Sequence, residues 1–187
     1  MMEPDQKLVE RVWAGEREAF ARLIDRYKTR VLHTAFRMLR NREDAEEAAQ
    51  DTFVRAYRGL AKFRAEASFS TWIYKICYHV CLSYLERKKL PRAQIEPEEL
   101  LSLPDWATPE TTLETQAQGK AVEAVLDGLP QHFRTVLILY HAQQLSYQEI
   151  SEVMELPVNT VKTHLHRGRA LLRERILQTL PEEEIVF

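Results

Sequence analysis

Apolar residues recur at helical spacing along most of the chain. From Glu16 to Leu39 they fall at Phe20, Leu23, Ile24, Tyr27, Val31, Ala35 and Met38, which lays one stripe along a single long helix. A shorter helix is predicted before it, over Asp5 to Trp13. A third runs from about Glu43 to Leu60 with Ala45, Ala48, Ala49, Phe53, Ala56 and Tyr57 inward. A fourth runs from about Ser70 to Lys89 with Trp72, Ile73, Ile76, Val80 and Tyr84 inward and a basic end at Arg87-Lys88-Lys89. The pattern then stops. Pro91, Pro97, Pro104 and Pro109 fall within twenty residues that also hold Glu96, Glu98, Glu99 and Asp105. Proline at that density blocks a continuous helix and favours an extended path. Beyond it, helices are predicted up to about Leu126, from Pro130 to Ala142, and on either side of a break at Glu155-Leu156-Pro157. With five glycines and no β-branched run, strands are scarce. The expected fold class is all-α: two small helical domains, residues 1–90 and 116–187, joined by a flexible acidic linker over 91–115.

The break near the C-terminus has a local logic. Ser146 precedes an apolar run and Glu149 follows three residues later, the pattern of a capping box. Ile150, Val153 and Met154 form the inward face of that short helix, and Ser151 is small where two helices cross. Pro157 then opens a second helix, where its missing N–H costs nothing, with Val161, Leu165 and Leu172 inward. Thr160, Lys162, Thr163, His166 and Arg167 are left pointing outward. Leu156 to Arg173 contains no acidic residue but carries Lys162, Arg167, Arg169, Arg173, His164 and His166. This is the pattern of a helix-turn-helix whose second helix enters a DNA major groove, short polar side chains reaching base edges while basic ones hold phosphates. Glu155 stands where such a turn usually has glycine for a left-handed cap.

Charge sharpens the division. Residues 1–90 have eighteen basic and thirteen acidic side chains, net +5; residues 91–118 are net -5; residues 119–187 are net -2. The formal charge of -2 for all 187 residues thus hides two lobes separated by an acidic tether. An apolar content of 45% suffices for compact cores. No run of eighteen apolar residues occurs, and the opening Met-Met-Glu-Pro-Asp-Gln is charged rather than signal-like, so a cytoplasmic protein without membrane insertion is expected.

Candidate chemistry is limited. Phe63 to Lys75 sets aromatic, basic and hydroxyl side chains at a loop entering a helix. That composition suits unstacked single-stranded bases and equally an aromatic core with a capped helix start. Cys77, His79 and Cys81 are ligand types for zinc, but residue 79 points almost opposite to 77 and 81, so no three-ligand set converges. Buried thiols in a reduced compartment are expected, with no metal and no cofactor. His132 and His141 have no nucleophile or carboxylate at useful spacing, and no phosphate-binding glycine loop occurs. Neither an enzyme nor a small-molecule substrate is expected.

The whole pattern resembles the extracytoplasmic-function group of bacterial sigma factors. The residues that carry it are Ala19-Phe20 through Tyr27, Asp44-Ala45-Glu46-Glu47-Ala48-Ala49-Gln50-Asp51-Thr52-Phe53-Val54-Arg55-Ala56-Tyr57, Phe69-Ser70-Thr71-Trp72-Ile73-Tyr74-Lys75-Ile76, Leu129-Pro130, Leu145 to Ile150 and Pro157 to Thr163. The resemblance implies an alternative sigma factor with core RNA polymerase and promoter DNA as partners, and an anti-sigma factor that restrains it. It implies that Gln50, Asp51, Phe53 and Arg55 dock on the polymerase. The loop Phe63 to Ser70, with Arg64, Ser68 and Phe69, would capture a flipped -10 base, with Trp72, Lys75 and His79 bordering the melted strand. The -35 element would be read through Thr160, Lys162, Thr163, His166, Arg167 and Arg169. The family often has Asn at His79, Asp at Ser83 and Gly at Asn159. A different class fits the helix-turn-helix alone: a free-standing regulator that binds operators as a dimer.

Overall fold

A computed structural model describes residues 3–89 and 124–179, and these form helices joined by short turns. The linker expected over 91–115 lies outside the described residues. So does most of the helix expected before Leu126, of which only a turn at 124–127 is described.

The N-terminal domain comprises α1 (Asp5–Trp13), α2 (Arg17–Leu39), α3 (Arg42–Gly59), a 3-10 turn (Leu60–Lys62) and α4 (Phe69–Lys89). Between α2 and α3 the chain reverses in two residues. Arg40 adopts the left-handed conformation at φ 57° and returns its N–H to the Phe36 carbonyl, while the Asn41 side chain accepts from the Asp44 N–H at 2.8 Å. Those two caps satisfy backbone groups that helix ends otherwise leave unpaired. The stripe on α2 is inward as expected, with Phe20, Leu23, Tyr27, Val31, Ala35 and Met38 buried.

Two faces differ from the reading of the sequence. On α3 the inner face is Ala45, Ala48, Ala49, Thr52 and Ala56, whereas Phe53 is only partly buried and Tyr57 is exposed. Small side chains let α3 approach α2 and α4 closely. Thr52, polar by composition, meets its own hydrogen-bonding need by donating to the Ala48 carbonyl at 2.7 Å. On α4 only Lys75, His79 and Ser83 interrupt the apolar residues from Trp72 to Leu85, so the apolar arc is wide and periodicity alone does not fix which part of it is innermost. Packing chooses Ile73, Tyr74, Cys77, Val80, Cys81 and Tyr84, leaving Trp72 and Ile76 at the flanks. Cys77 and Cys81 are buried free thiols, and the Cys77 thiol donates to the Val31 carbonyl.

The C-terminal domain comprises α5 (Gln131–Leu137), a π-helical turn (Ile138–Ala142), α6 (Tyr147–Met154) and α7 (Val158–Thr179). The expected helix from Pro130 to Ala142 is therefore continuous in path but widens in its last turn. That widening turns Gln143 into the protein, where it is 7% exposed. Its Oε1 accepts from the Tyr74 hydroxyl at 2.6 Å and its Nε2 donates to the Thr34 hydroxyl at 3.1 Å. The two domains thus share one buried surface, with α4 against α6 and α2 against α5. Arg134 reinforces it by donating to the Asp127 carbonyl at 2.7 Å and to the Met38 carbonyl at the end of α2 at 3.3 Å.

Near that junction His33 accepts from Arg37 Nε at 3.3 Å. Burial, and then the Arg37 charge, push its pKa down from 6.5 to about 4. The unfolded chain therefore takes up a proton at pH values where the folded chain does not. Stability from this group is complete above pH 6.5 and should fall by about 2 to 3 kcal/mol as the pH drops to about 4. His33→Gln, which keeps an acceptor for Arg37, should flatten that part of the curve in urea titrations run at stepped pH. An unchanged slope would exclude His33 as its source.

Candidate nucleic-acid interface

The helix-turn-helix is built by backbone caps. The Ser146 hydroxyl accepts from the Glu149 N–H at 3.2 Å while Glu149 Oε2 accepts from the Ser146 N–H at 2.9 Å, completing the capping box. Burial raises the Glu149 pKa, but hydrogen bonds from Ser146, Thr71 and Ser68 outweigh it, and the net shift is downward. Glu155 takes the left-handed conformation at φ 54°, ψ 43° that the turn requires, paying the steric cost glycine would avoid. The Ser151 hydroxyl donates to the Leu156 carbonyl at 2.6 Å, so the small residue at the crossing also ties down the turn. Pro157 accepts from the N–H groups of Thr160 and Val161 at 2.8 and 3.1 Å and caps α7 from just outside it.

Val161 and Leu165 point into the domain at 0% and 2% exposure. Lys162, Thr163, His166, Arg167 and Arg169 are exposed, and Thr160 is half-buried. At 100° per residue Thr163, His166 and Arg167 project away from the core. Two side chains are partly engaged. The Thr163 hydroxyl donates to the Asn159 carbonyl at 2.9 Å. Arg169 lies 4.9 Å over the Tyr140 ring and its Nε is 3.3 Å from His141 Nε2, which draws it towards the flank of its own domain. His164 is wedged between His132 and Phe133, at ring distances of 5.0 and 5.6 Å. Burial, and then neighbouring positive charge, lower its pKa. Gly168 lets α7 pass close to α5, since a Cβ there would meet Leu137 Cδ1 at 3.3 Å and Phe133 Cβ at 3.4 Å.

In the N-terminal domain Ser68 begins α4. Its hydroxyl accepts from the Thr71 N–H at 3.1 Å and contacts the Ser70 and Thr71 hydroxyls at 2.7 and 2.8 Å. Phe63, Phe69 and Trp72 form one cluster, with the Phe63 and Trp72 rings 4.8 Å apart and Phe69 and Trp72 5.7 Å apart. Phe69 is core, against Tyr27 at 5.4 Å, while Phe63 and Trp72 are half-buried at its rim. The aromatic-core reading thus holds at Phe69, while Phe63 and Trp72 stay partly accessible at the rim. The loop between, with Arg64 exposed and Ala65 at φ 55°, borders a cleft of about 480 Å³ lined by Lys62, Arg64, Trp72 and Lys75 on one side and Glu152 and Glu155 on the other. His79 lies on the same side of α4 as Lys75, since both meet Glu155.

On α3 Gln50 and Arg55 are exposed while Asp51 and Phe53 are half-buried. Val54 and Tyr57, at 45% and 46% exposure, add an apolar surface that the periodicity hid, with Tyr57 packed 5.0 Å from Phe20. Burial, and then the charges of Asp51 and Glu47, push the Tyr84 hydroxyl up to about 12. Among the described residues no cluster of three metal-ligand side chains occurs.

The described residues thus form a helix-turn-helix with an exposed basic face, packed on a helical domain with an aromatic-lined loop. Residues 23–90 match the family model of Sigma-70 region 2, and residues 119–172 that of Sigma-70, region 4. The chain belongs to the sigma-70 family, in its extracytoplasmic-function group. It is 33% identical to the ECF RNA polymerase sigma factor SigW of Bacillus subtilis, over 91% of this chain and 96% of that one. It is 32% identical to the ECF sigma-E factor of Haemophilus influenzae (92% and 95% covered) and to the sigma-H factor of Pseudomonas aeruginosa (97% of each). Its fold is similar to that of CnrH in complex with the cytosolic domain of CnrY, with a TM-score of 0.69 at 22% identity over 93% and 97% of the chains. It is also similar to sigma factor RpoE in complex with the anti-sigma factor NepR from Bartonella quintana, at 0.67 and 19% over 83% and 94%. The match over 23–90 sets aside the free-standing regulator.

The close passage at Gly168, with Val161 and Leu165 in the core, seats α7 against the rest of its domain. Gly168→Val should overpack the crossing and cost about 1 to 3 kcal/mol in urea unfolding. A neutral result would mean that α5 and α7 shift apart freely.

Proposed function

We propose that this alternative sigma factor, which binds core RNA polymerase and directs it to promoters, divides its work among three surfaces. Thr160, Lys162, Thr163, His166 and Arg167 read the -35 element, with Arg169 at its edge holding a phosphate. Phe63, Arg64, Ser68, Ser70, Trp72, Lys75 and His79 hold the opened -10 strand, and Phe69, expected among them, is buried beneath Phe63 and Trp72 as their support. Gln50, Asp51, Phe53 and Arg55, with Val54 and Tyr57, dock on the polymerase. The observation that carries this reading is the cap geometry at Ser146 and Glu155, which aims the acid-free face of α7 outward. A rigid aromatic rim supports the second assignment, because unpaired strands are held by stacking that must offset a few kcal/mol of unstacking per extruded base. The exposed apolar patch on α3 supports the third.

The protein is non-enzymatic in this role and acts where the polymerase does, in the cytoplasm; no described helix is long and apolar enough to cross a membrane. An anti-sigma factor is proposed as a partner, since solved structures of similar fold hold such a protein.

Reconstitution with core polymerase tests the whole reading: the complete chain should form a holoenzyme that initiates at a specific promoter. Arg167→Ala should weaken promoter binding by about 1 to 3 kcal/mol, roughly 5- to 150-fold, in fluorescence anisotropy on a promoter duplex. Unaltered affinity would take Arg167 out of the interface. Asp51→Lys should weaken holoenzyme assembly by on the order of 1 to 2 kcal/mol with helix content unchanged by circular dichroism. Equal assembly would move the docking surface elsewhere.

A further inference from the structure

What α7 can read in a duplex depends on which atoms of its outward face are still free to meet a base. Val161 and Leu165, both in the core, lie about 40° apart around the helix axis at about 100° per residue. Thr163, midway between them in sequence, comes out about 180° from their mean direction. It is exposed and marks the centre line of the outward face. Asn159, His166 and Arg167, also exposed, stand about 120° to 140° from the core direction and flank it. A residue on that line comes nearest the floor of a major groove, and its short side chain lets the helix close on the base edges.

The donor of that side chain is already spent. The Thr163 hydroxyl donates to the Asn159 carbonyl, one turn back, at 2.9 Å. A hydroxyl has one proton and two acceptor lone pairs. With the proton committed inside the helix, Thr163 cannot donate to guanine O6 or N7, nor to thymine O4. The same bond holds the oxygen back along the helix. The methyl on the same Cβ is then left one of the two directions in which helical side chains extend.

We infer that Thr163 reads the -35 element through its methyl group, packed against the C5-methyl of a thymine, and not through its hydroxyl. The ligand at the centre of the interface is thus a T·A pair, recognised in the major groove by the group that uracil lacks. Two methyls brought into contact shed water from both, a gain that needs no donor and no charge. The inference rests on the assignment of α7 to the -35 element and names a base within it. A hydroxyl-based contact would have to use the oxygen as acceptor, towards the amino group of an adenine or a cytosine.

Holoenzyme reconstituted from the full chain and core polymerase is titrated with fluorescein-labelled duplexes of its own promoter, identified by sequencing the DNA it selects. Each thymine of the -35 element, on either strand, is replaced singly by deoxyuridine, which deletes the methyl and nothing else. One replacement should weaken binding to the parent by about three- to fivefold. In Thr163→Ser, which keeps the hydroxyl and drops the methyl, that penalty should vanish. In Thr163→Val, which drops the hydroxyl and keeps a methyl, it should persist with affinity for the thymine duplex unchanged. Equal binding of every uracil duplex by the parent, or a uracil penalty that survives in Thr163→Ser, would overturn the inference. So would weak binding by Thr163→Val beside parental binding by Thr163→Ser, which would return the contact to the hydroxyl. Failure of the -35 assignment reads differently: Thr163→Ala and Arg167→Ala would then both bind the promoter as the parent does.

Discussion

Gln143 is the side chain on which the joint between the two domains turns. It is buried against α2 and α4, and both ends of its amide are paired to hydroxyls that belong to the other domain. A small rotation that breaks these bonds while the Tyr74 hydroxyl and the Gln143 amide are still shielded from water costs about 1 to 3 kcal/mol for each orphaned group. The Thr34 hydroxyl is itself anchored, donating to the Arg30 carbonyl at 2.9 Å. The position of α6 over α4 follows from that constraint, and with it the meeting of Glu149 and Glu155 with the start of α4. The π turn at Ile138–Ala142 is the backbone device that makes it possible. A widened turn shifts the register of the residues after it, and such turns occur often at functional sites.

Within each domain the side chains proposed to meet DNA stand on well-packed supports. Lys162, Thr163, His166 and Arg167 ride on a helix whose opposite face is sealed by Val161 and Leu165 and whose crossing with α5 is tightened by Gly168. Trp72 and Phe63 sit at the rim of a cluster rooted through Phe69 in Tyr27 and the core of α2. This matters for strand opening, because a surface that separates stacked bases must not yield more easily than the stack. The side of α3 proposed to dock on the polymerase is different in kind, an exposed patch of Val54 and Tyr57 on a helix held from behind by alanines.

Much of this was legible in the residues, and the exceptions have definite causes. The capping box at Ser146 and Glu149 and the stripe on α2 are local patterns, each set by a period or a cap within a few residues, and both appear as read. The inner face of α3 was misassigned because Phe53 and Tyr57 are apolar by type, while the contact needs small residues and a self-satisfied Thr52. On α4 the wide apolar arc between Trp72 and Leu85 left its innermost part to be chosen by whatever packed against it. The stack of Arg169 on Tyr140 joins residues nearly thirty positions apart, a contact that the charge of Arg169 does not announce.

Periodicity, caps and turn residues by themselves determined that the chain is helical, that it has two domains, and that its last helix presents a basic face free of acidic residues. Those features depend on contacts between residues three or four apart, which sequence spacing encodes directly. Whether the domains stand apart or together was decided only in three dimensions, because Gln143, Tyr74 and Thr34 are separated by up to 109 positions and no local pattern marks them as partners. The same holds for Glu155. The sequence marks it as an awkward residue for a left-handed turn, and only the folded chain places its carboxylate beside Lys75.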